Sequence, residues 1–126
     1  MKTIVYIVIS FFGLASCQES LEERCQREVK EHTKKNCPAQ VDKNTLQDSV
    51  CYEPATRTIH YYYTISGNVD NLRNLGKARQ ILIEQLRNTT AMKAYKEDGF
   101  NFAYTYRSKS TGKILIEERM SQEDYK

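Results

Sequence analysis

The chain has 126 residues, with 19 Lys and Arg against 16 Asp and Glu and a formal net charge of +3. This length is enough for one domain with a buried core and too short for two. The small basic excess argues against nucleic acid as a partner, because domains that bind phosphate backbones carry a clear excess of Lys and Arg.

Residues 1–17 have the three-part form of an export signal. Lys2 supplies a short positive region, residues 4–12 are almost all apolar, and Leu14-Ala15-Ser16-Cys17 places small residues before a cysteine. The apolar run is too short to span a bilayer, which takes about 20 residues. We therefore expect a signal segment and not a permanent transmembrane helix.

The stretch Leu14-Ala15-Ser16-Cys17 resembles the lipobox of bacterial lipoproteins. The resemblance implies a signal peptide over residues 1–16, cleavage before Cys17, and fatty acylation of the Cys17 thiol and the new amino terminus. Residues 17–126 are then one extracytoplasmic domain, anchored by lipid in the bacterial envelope and facing the periplasm or the cell surface. The alternative is a conventional secretory cut after Ala15, which leaves Cys17 as an ordinary extracellular cysteine.

The cysteines lead to different expectations under these two alternatives. If Cys17 is lipidated, the thiols of Cys25, Cys37 and Cys51 remain, and an odd number leaves one of them without an intramolecular partner. If the secretory cut occurs instead, four cysteines can form two disulfides, with three possible connectivities. We expect a Cys37–Cys51 disulfide, because the two residues flank a loop with 13 intervening residues. No C-x₂-C pair is present, so the spacing predicts no structural zinc site.

The first part of the domain reads as a helix followed by a hairpin. Apolar residues recur at helical spacing within residues 18–35, and Pro38 follows, which disfavours helix in the residue before it. Residues 41–52 read as an entry loop and a strand, and alternation predicts a second strand over residues 57–66, joined to the first by a turn at 53–56. The expected pairs across this turn are Tyr52 with Arg57, Val50 with Ile59, Leu46 with Tyr63 and Asp48 with Tyr61.

The second part repeats that order. A helix is predicted from residue 69 to about residue 88, with Asp70 as its cap and a short continuation over residues 91–96. Strands are predicted over residues 100–107 and 114–120, with a polar turn at 110–113. The αββαββ order most economically forms a four-stranded antiparallel sheet with both helices on one face, an α+β two-layer sandwich.

Two looser resemblances follow from these features. The order of elements is similar to that of the modules of β-lactamase-inhibitory proteins. Uncharacterised small envelope lipoproteins are similar in Cys37-Pro38, Val41-Asp42, Thr45, Asp48-Ser49-Val50 and Tyr61-Tyr62-Tyr63-Thr64. Neither resemblance implies a catalytic activity.

The strand alternation also predicts an open sheet face with polar and aromatic side chains. It carries Thr58, His60, Tyr62, Thr105 and Arg107. Tyr and Arg are enriched at protein interfaces, so this face is a candidate binding surface. The alternative is an ordinary solvent-facing strand surface.

No catalytic signature accompanies these features. His32 and His60 lie on different predicted elements without a nearby nucleophile motif, and the isolated glycines form no phosphate-binding loop. We therefore expect a protein without catalysis, cofactor or metal that acts through protein contacts as an envelope binding or inhibitory module. The alternatives are a structural subunit of an envelope assembly and a small secreted hydrolase.

Overall fold

The computed structural model describes residues 19–67 and 75–126. The predicted signal peptide, Cys17 and the predicted Asp70 cap lie outside these residues. Within them, no helix has the length and hydropathy needed to cross a membrane.

The described ranges contain four α-helices, five strands and one 3₁₀ turn. In chain order they are α1 (Leu21–Asn36), β1 (Ala39–Asp42), β2 (Thr45–Glu53), the 3₁₀ turn (Pro54–Thr56), β3 (Thr58–Ile65), α2 (Leu75–Asn88), α3 (Lys93–Glu97), β4 (Asn101–Ser108), β5 (Ile114–Met120) and α4 (Gln122–Tyr125).

Helix α1 begins at a capping box. The Ser20 hydroxyl accepts a hydrogen bond from the backbone N–H of Glu23, and the Glu23 carboxylate accepts one from the backbone N–H of Ser20. These two bonds satisfy backbone donors that a helix start otherwise leaves unpaired. The acids in the first turn and the lysines in the last turn complement the helix dipole. The predicted helix is therefore confirmed, with a start three residues later.

The five strands form one mixed sheet in the order β1-β2-β3-β4-β5. Neighbouring pairs are antiparallel except β3 and β4, which are parallel. The prediction of four antiparallel strands is wrong in these two respects, although the α+β class is confirmed. The chain returns through α2 and α3 before it enters β4, and such a helical crossover brings the next strand in parallel to the last.

The register of β2 against β3 also differs from the prediction. Tyr52 pairs with Ile59 and Val50 pairs with Tyr61. The 3₁₀ turn and Arg57, whose φ of 50° lies in the left-handed region, occupy the residues between the strands. Strand β3 therefore begins at Thr58, one residue after its predicted start.

An irregularity between Gln47 and Ser49 changes which residues of β2 face each side. Leu46 pairs with Thr64 instead of Tyr63, and the Thr64 hydroxyl donates to Asp48 at 2.6 Å. The predicted pairing of Asp48 with Tyr61 is therefore wrong. A bulge inserts one residue into a strand and reverses the alternation beyond it, which a strict two-residue period does not anticipate.

The helices pack on one face of the sheet and enclose the core. Cys25 and Val29 of α1, Leu82 and Leu86 of α2, and Tyr95 of α3 are buried there. They cover the sheet residues Val50, Tyr52, Ile59, Phe102, Tyr104 and Met120. The Tyr125 ring of α4 meets Phe102 edge to face, and its hydroxyl donates to the Phe100 carbonyl at 2.7 Å.

Candidate protein-binding groove

A groove lies on the helical side of the sheet, between α1 and the segment that contains α3. Helix α1 packs on β2, whereas α2 packs on β5 and α4. The two groups of helices therefore cover different parts of the sheet. The space between them has a volume of about 350 Å³ and is open to solvent on one side.

The groove has an apolar floor and mostly apolar walls. Val50, Ile59 and Tyr61 of the central strands form the floor, and Val29 of α1 lines one wall. The opposite wall contains Ala91, Met92, Ala94 and Tyr95. Met92 is half-buried, so part of its thioether side chain is accessible. Unbranched Met side chains adapt to irregular apolar partners.

Four tyrosines continue the floor along β3 and β4. The rings of Tyr61 and Tyr104 stack with centroids 5.1 Å apart, and those of Tyr63 and Tyr106 stack at 4.6 Å. The rings of Tyr61 and Tyr63, which lie on the same strand, are also stacked, with centroids 6.4 Å apart. We call these four residues the tyrosine platform. Aromatic stacking of this kind adds about 0.5–1.5 kcal/mol per pair beyond area burial.

The phenols of the platform stay neutral. Burial raises the pKa of Tyr61, Tyr63, Tyr104 and Tyr106, because a phenolate loses hydration in the protein interior. The Tyr63 hydroxyl accepts a hydrogen bond from the Gln47 amide at 3.3 Å. The platform is therefore uncharged. Tyr104 is buried, and the half-buried rings of Tyr61, Tyr63 and Tyr106 offer its accessible surface.

Charged groups at the rim of the groove already have partners. Arg24 Nε lies 3.4 Å from a Glu28 carboxylate oxygen, and the Tyr95 hydroxyl donates to Glu28. His32 Nε2 lies 2.6 Å from the Gln47 amide oxygen. Since these groups satisfy one another, this part of the groove favours an uncharged, apolar occupant.

The opposite face of the sheet brings together most of the predicted binding residues. His60 Nδ1 lies 2.7 Å from a Glu53 carboxylate oxygen, and Nε2 lies 2.7 Å from the Thr105 hydroxyl. A carboxylate can only accept, so Nδ1 is the donor to Glu53. The Tyr62 ring stacks on the imidazole with centroids 4.1 Å apart.

Most of these predicted residues are covered by their neighbours. Thr58, His60 and Thr105 are 1%, 4% and 2% exposed, respectively. Tyr62 is half-buried, and Arg107 is exposed and donates to the Gly112 carbonyl at 3.2 Å. Sequence reasoning placed the residues on this face, but it did not anticipate that their polar groups would bond to one another.

His60 and Thr105 are of the residue types that act as a general base and a hydroxyl nucleophile in enzymes. The Thr105 hydroxyl is buried and lies 3.4 Å from Glu117 Oε2, so a substrate has no direct access to it. His32 is hydrogen-bonded to Gln47 on the helical side of the sheet. The two histidines therefore do not combine into one site.

The expected Cys37–Cys51 disulfide is not formed. Cys25, Cys37 and Cys51 are free thiols. Cys37 contacts Gln47 on the helical side of the sheet, whereas Cys51 pairs with His60 on the opposite face. Burial raises the pKa of all three thiols, to about 12 for Cys25. Among the described residues, no group of three His, Cys, Asp or Glu side chains is placed to hold a metal ion.

Sequence reasoning missed the groove. Its walls come from α1 and from residues 91–95, which are distant in the chain. One local signal was available: tyrosines two residues apart occur in both β3 and β4, at positions 61 and 63 and at positions 104 and 106. Such spacing places the side chains of each strand on one face.

The fold and the groove define a small α+β domain. Its helical side carries an apolar groove, and the polar groups on the opposite face of the sheet bond to one another. Residues 20–116 match the model of a family described as a domain of unknown function, DUF8479. The chain belongs to this family. No curated protein matches the chain significantly.

Solved structures of low sequence identity share this fold. One is the pilotin EpsS of the Vibrio vulnificus type 2 secretion system, with a TM-score of 0.68 and 8% identity, covering 84% of this chain and 92% of that protein. Another is the type II secretion pilotin AspS of Vibrio cholerae, with a TM-score of 0.65 and 11% identity, covering 88% of this chain and 97% of that protein.

A third similar structure is a candidate secreted protein from Pseudomonas aeruginosa. It has a TM-score of 0.66 and 14% identity, and the match covers 86% of this chain and all of that protein. At these identities the likeness shows a common fold.

Proposed function

We propose that this protein is a non-catalytic bacterial envelope lipoprotein that binds an apolar segment of a partner protein in the helical-side groove. The observation that carries the proposal is the groove itself, with its apolar floor and its adjoining tyrosine platform. Two of the structures that share the fold are pilotins of type II secretion systems, which supports a role in an envelope assembly.

A protein segment fits the groove better than a small metabolite does. Small-molecule sites usually enclose most of their ligand and contain a few convergent polar groups. This groove is open along one side, and its rim charges are neutralised by pairs such as Arg24 with Glu28. Tyr and Met are enriched at protein interfaces. Tyr supplies a large contact area at low entropic cost.

Cys17 is the proposed anchor. Only Gln18 and Glu19 separate it from the Ser20 cap of α1. The three Cα–Cα steps from Cys17 to Ser20 span at most about 11 Å when extended. Lipidation at Cys17 therefore holds the start of α1 close to the membrane surface.

Site-specific crosslinking in cells tests the groove. A photoreactive phenylalanine analogue replaces Met92 in the groove or, in a matched variant, Tyr62 on the opposite face. We expect a discrete crosslinked protein from position 92 and not from position 62. Crosslinking from position 62 alone would place the binding surface on the opposite face and overturn the groove.

The crosslinked protein also distinguishes an assembly role from an inhibitory one. An envelope protein captured in stoichiometric amounts is the expected result. Capture of a foreign enzyme or toxin would instead indicate an inhibitor.

Metabolic labelling with palmitate tests the anchor. We expect label in the wild type and in Cys51→Ser, and none in Cys17→Ser. Label in Cys17→Ser would contradict lipidation at this residue.

A further inference from the structure

The groove leads toward one end of the sheet, which we call the far end because it lies opposite the start of α1. Glu22 in the first turn of α1 pairs with Arg57, just before β3 begins, at 2.9 Å. At the other end of β3, the Ser66 N–H donates to the Asn44 carbonyl at 2.8 Å, and the Lys109 N–H donates to the Ile65 carbonyl at 2.9 Å. The β1–β2 turn, the end of β3 and the β4–β5 turn therefore all lie at the far end.

Four exposed lysines lie at the far end. The lysines are Lys35 in the last turn of α1, Lys43 in the β1–β2 turn, and Lys109 and Lys113 around the β4–β5 turn. Within residues 19–67 and 75–126, none of the four takes part in an ion pair.

Among residues 19–67 and 75–126, two carboxylates lie near these lysines. Asp42 accepts a hydrogen bond from the Asn44 backbone N–H at 2.9 Å, and Asp48 accepts one from the Thr64 hydroxyl. Four lysines against two carboxylates give the described part of the far end a basic excess.

The opposite end of the sheet carries acids around the start of α1 and after α3. They are Glu19, Glu22, Glu23, Glu97 and Asp98. Several of them pair with arginines, including Glu22 and Asp98 with Arg57. The acids at this end are therefore largely offset by basic partners, whereas the four far-end lysines have no ion-pair partner among the described residues.

The tyrosine platform connects the groove to the far end. Tyr61 belongs to the groove floor, and Tyr63 and Tyr106 follow it toward the ends of β3 and β4. An apolar segment that continues along this floor reaches the far end, where the four lysines lie. Opposite charge at that point strengthens binding, steers association and fixes the direction of the segment.

We propose that the partner segment is apolar where it lies in the groove and acidic at the end that leaves it over Lys35, Lys43, Lys109 and Lys113. This inference rests on the proposed function of the groove. It specifies the chemistry of the partner and the direction in which its segment lies.

Selection from a phage library of random peptides of about 16 residues, long enough for four helical turns, tests the proposal. The targets are the full chain in detergent, a far-end variant with Lys43→Glu and Lys109→Glu, and a control with Lys30→Glu and Lys126→Glu. The two variants change the net charge equally. All four lysines are exposed, so both variants are expected to fold.

We expect peptides enriched on the full chain and on the control to combine an apolar stretch with Asp or Glu at one end. The far-end variant should lose this preference. An enriched peptide labelled with fluorescein should bind the far-end variant about tenfold more weakly in low salt, and the difference should shrink at about 0.5 M salt, where charges are screened within a few ångströms.

Two other results are informative. If the enriched peptides lack an acidic end, the inference about the lysines is wrong. It is also wrong if the far-end variant selects peptides with the same acidic end as the full chain does. In both cases the proposed binding of an apolar segment in the groove still stands. If no peptide is enriched, or if the enriched peptides bind a folded Met92→Glu variant as well as the wild type, then the groove and the proposed function both fail.

Discussion

Arg119 of β5 reaches across the sheet to Glu53 of β2, with 3.3 Å between Nη1 and Oε1. Between them lie Ala103, which pairs with Arg119, and His60, which pairs with both Ala103 and Cys51. The small side chain of Ala103 leaves room for the arginine to extend over β4. This contact explains why His60 and Ala103 are buried on a face that carries no helix.

The first prediction concerns Ala103, which is 0% exposed. Ala103→Leu should destabilise the domain by about 1–3 kcal/mol, because the larger side chain must displace Arg119 and the His60 ring. The free energy of unfolding from urea titration measures this effect. Ala55→Leu is the control, since Ala55 is exposed in the 3₁₀ turn and should change stability little.

The second prediction concerns the Glu53 carboxyl. Burial raises its pKa, but hydrogen bonds from His60 and Arg119 lower it more, so the pKa is lowered overall from its ordinary value of 4.5. A carboxyl whose pKa is lower in the folded state than in the unfolded state stabilises the fold at pH values above its pKa in the unfolded state. This stabilisation is lost as the pH falls through the pKa of the folded state.

Comparison with Glu53→Gln measures that contribution. We expect the wild type to be the more stable protein at pH 7 in urea unfolding, and its advantage to shrink as the pH falls below 4.5. A constant difference between the two proteins from neutral pH to about pH 3, below the ordinary carboxyl range, would contradict the assigned role of the carboxylate.

The third prediction concerns Arg57, which joins α1 to the sheet. Its guanidinium pairs with Glu22 and Asp98, and Cζ lies 4.5 Å from the centroid of the Phe100 ring. Arg57→Ala should cost about 1–2 kcal/mol through loss of these contacts. Thermal unfolding should show a lower midpoint for this variant.

Arg57→Gly separates the backbone from the side chain at this position. The φ of 50° is strained for alanine and readily adopted by glycine. The glycine variant should therefore be about 1 kcal/mol more stable than the alanine variant. If glycine is the less stable of the two, the left-handed conformation at Arg57 is not the one present in solution.

The fourth prediction concerns the thiols. Cys25 is fully buried, and burial raises its pKa to about 12. In the folded protein, without a reducing agent, iodoacetamide should modify Cys37 and Cys51 and leave Cys25 unmodified until denaturant is added. Mass spectrometry of the peptides identifies the modified residues. Protection of both Cys37 and Cys51 that disappears on reduction would indicate the disulfide that the structure lacks.

Local sequence patterns were sufficient to predict most of the secondary structure in the described residues. The alternating residues of β2 to β5 and the amphipathic stripe of α1 follow from periodicity, but the start of α1 after the Ser20 cap was predicted three residues too early. The short strand β1 was missed, because its four residues, Ala39–Asp42, carry too little alternation to identify.

The sequence by itself determined the α+β class, the open-face positions of His60, Tyr62 and Thr105, and the signal-like segment that ends at Cys17. Only the tertiary structure decided that β3 and β4 are parallel, that the Gln47–Ser49 irregularity reverses the faces of β2, and that α1 and Met92 enclose a groove. The physical reason is the sequence separation of the contacts involved. Periodicity shows which side of a helix or strand is buried, whereas strand pairing and groove formation depend on contacts between residues distant in the chain.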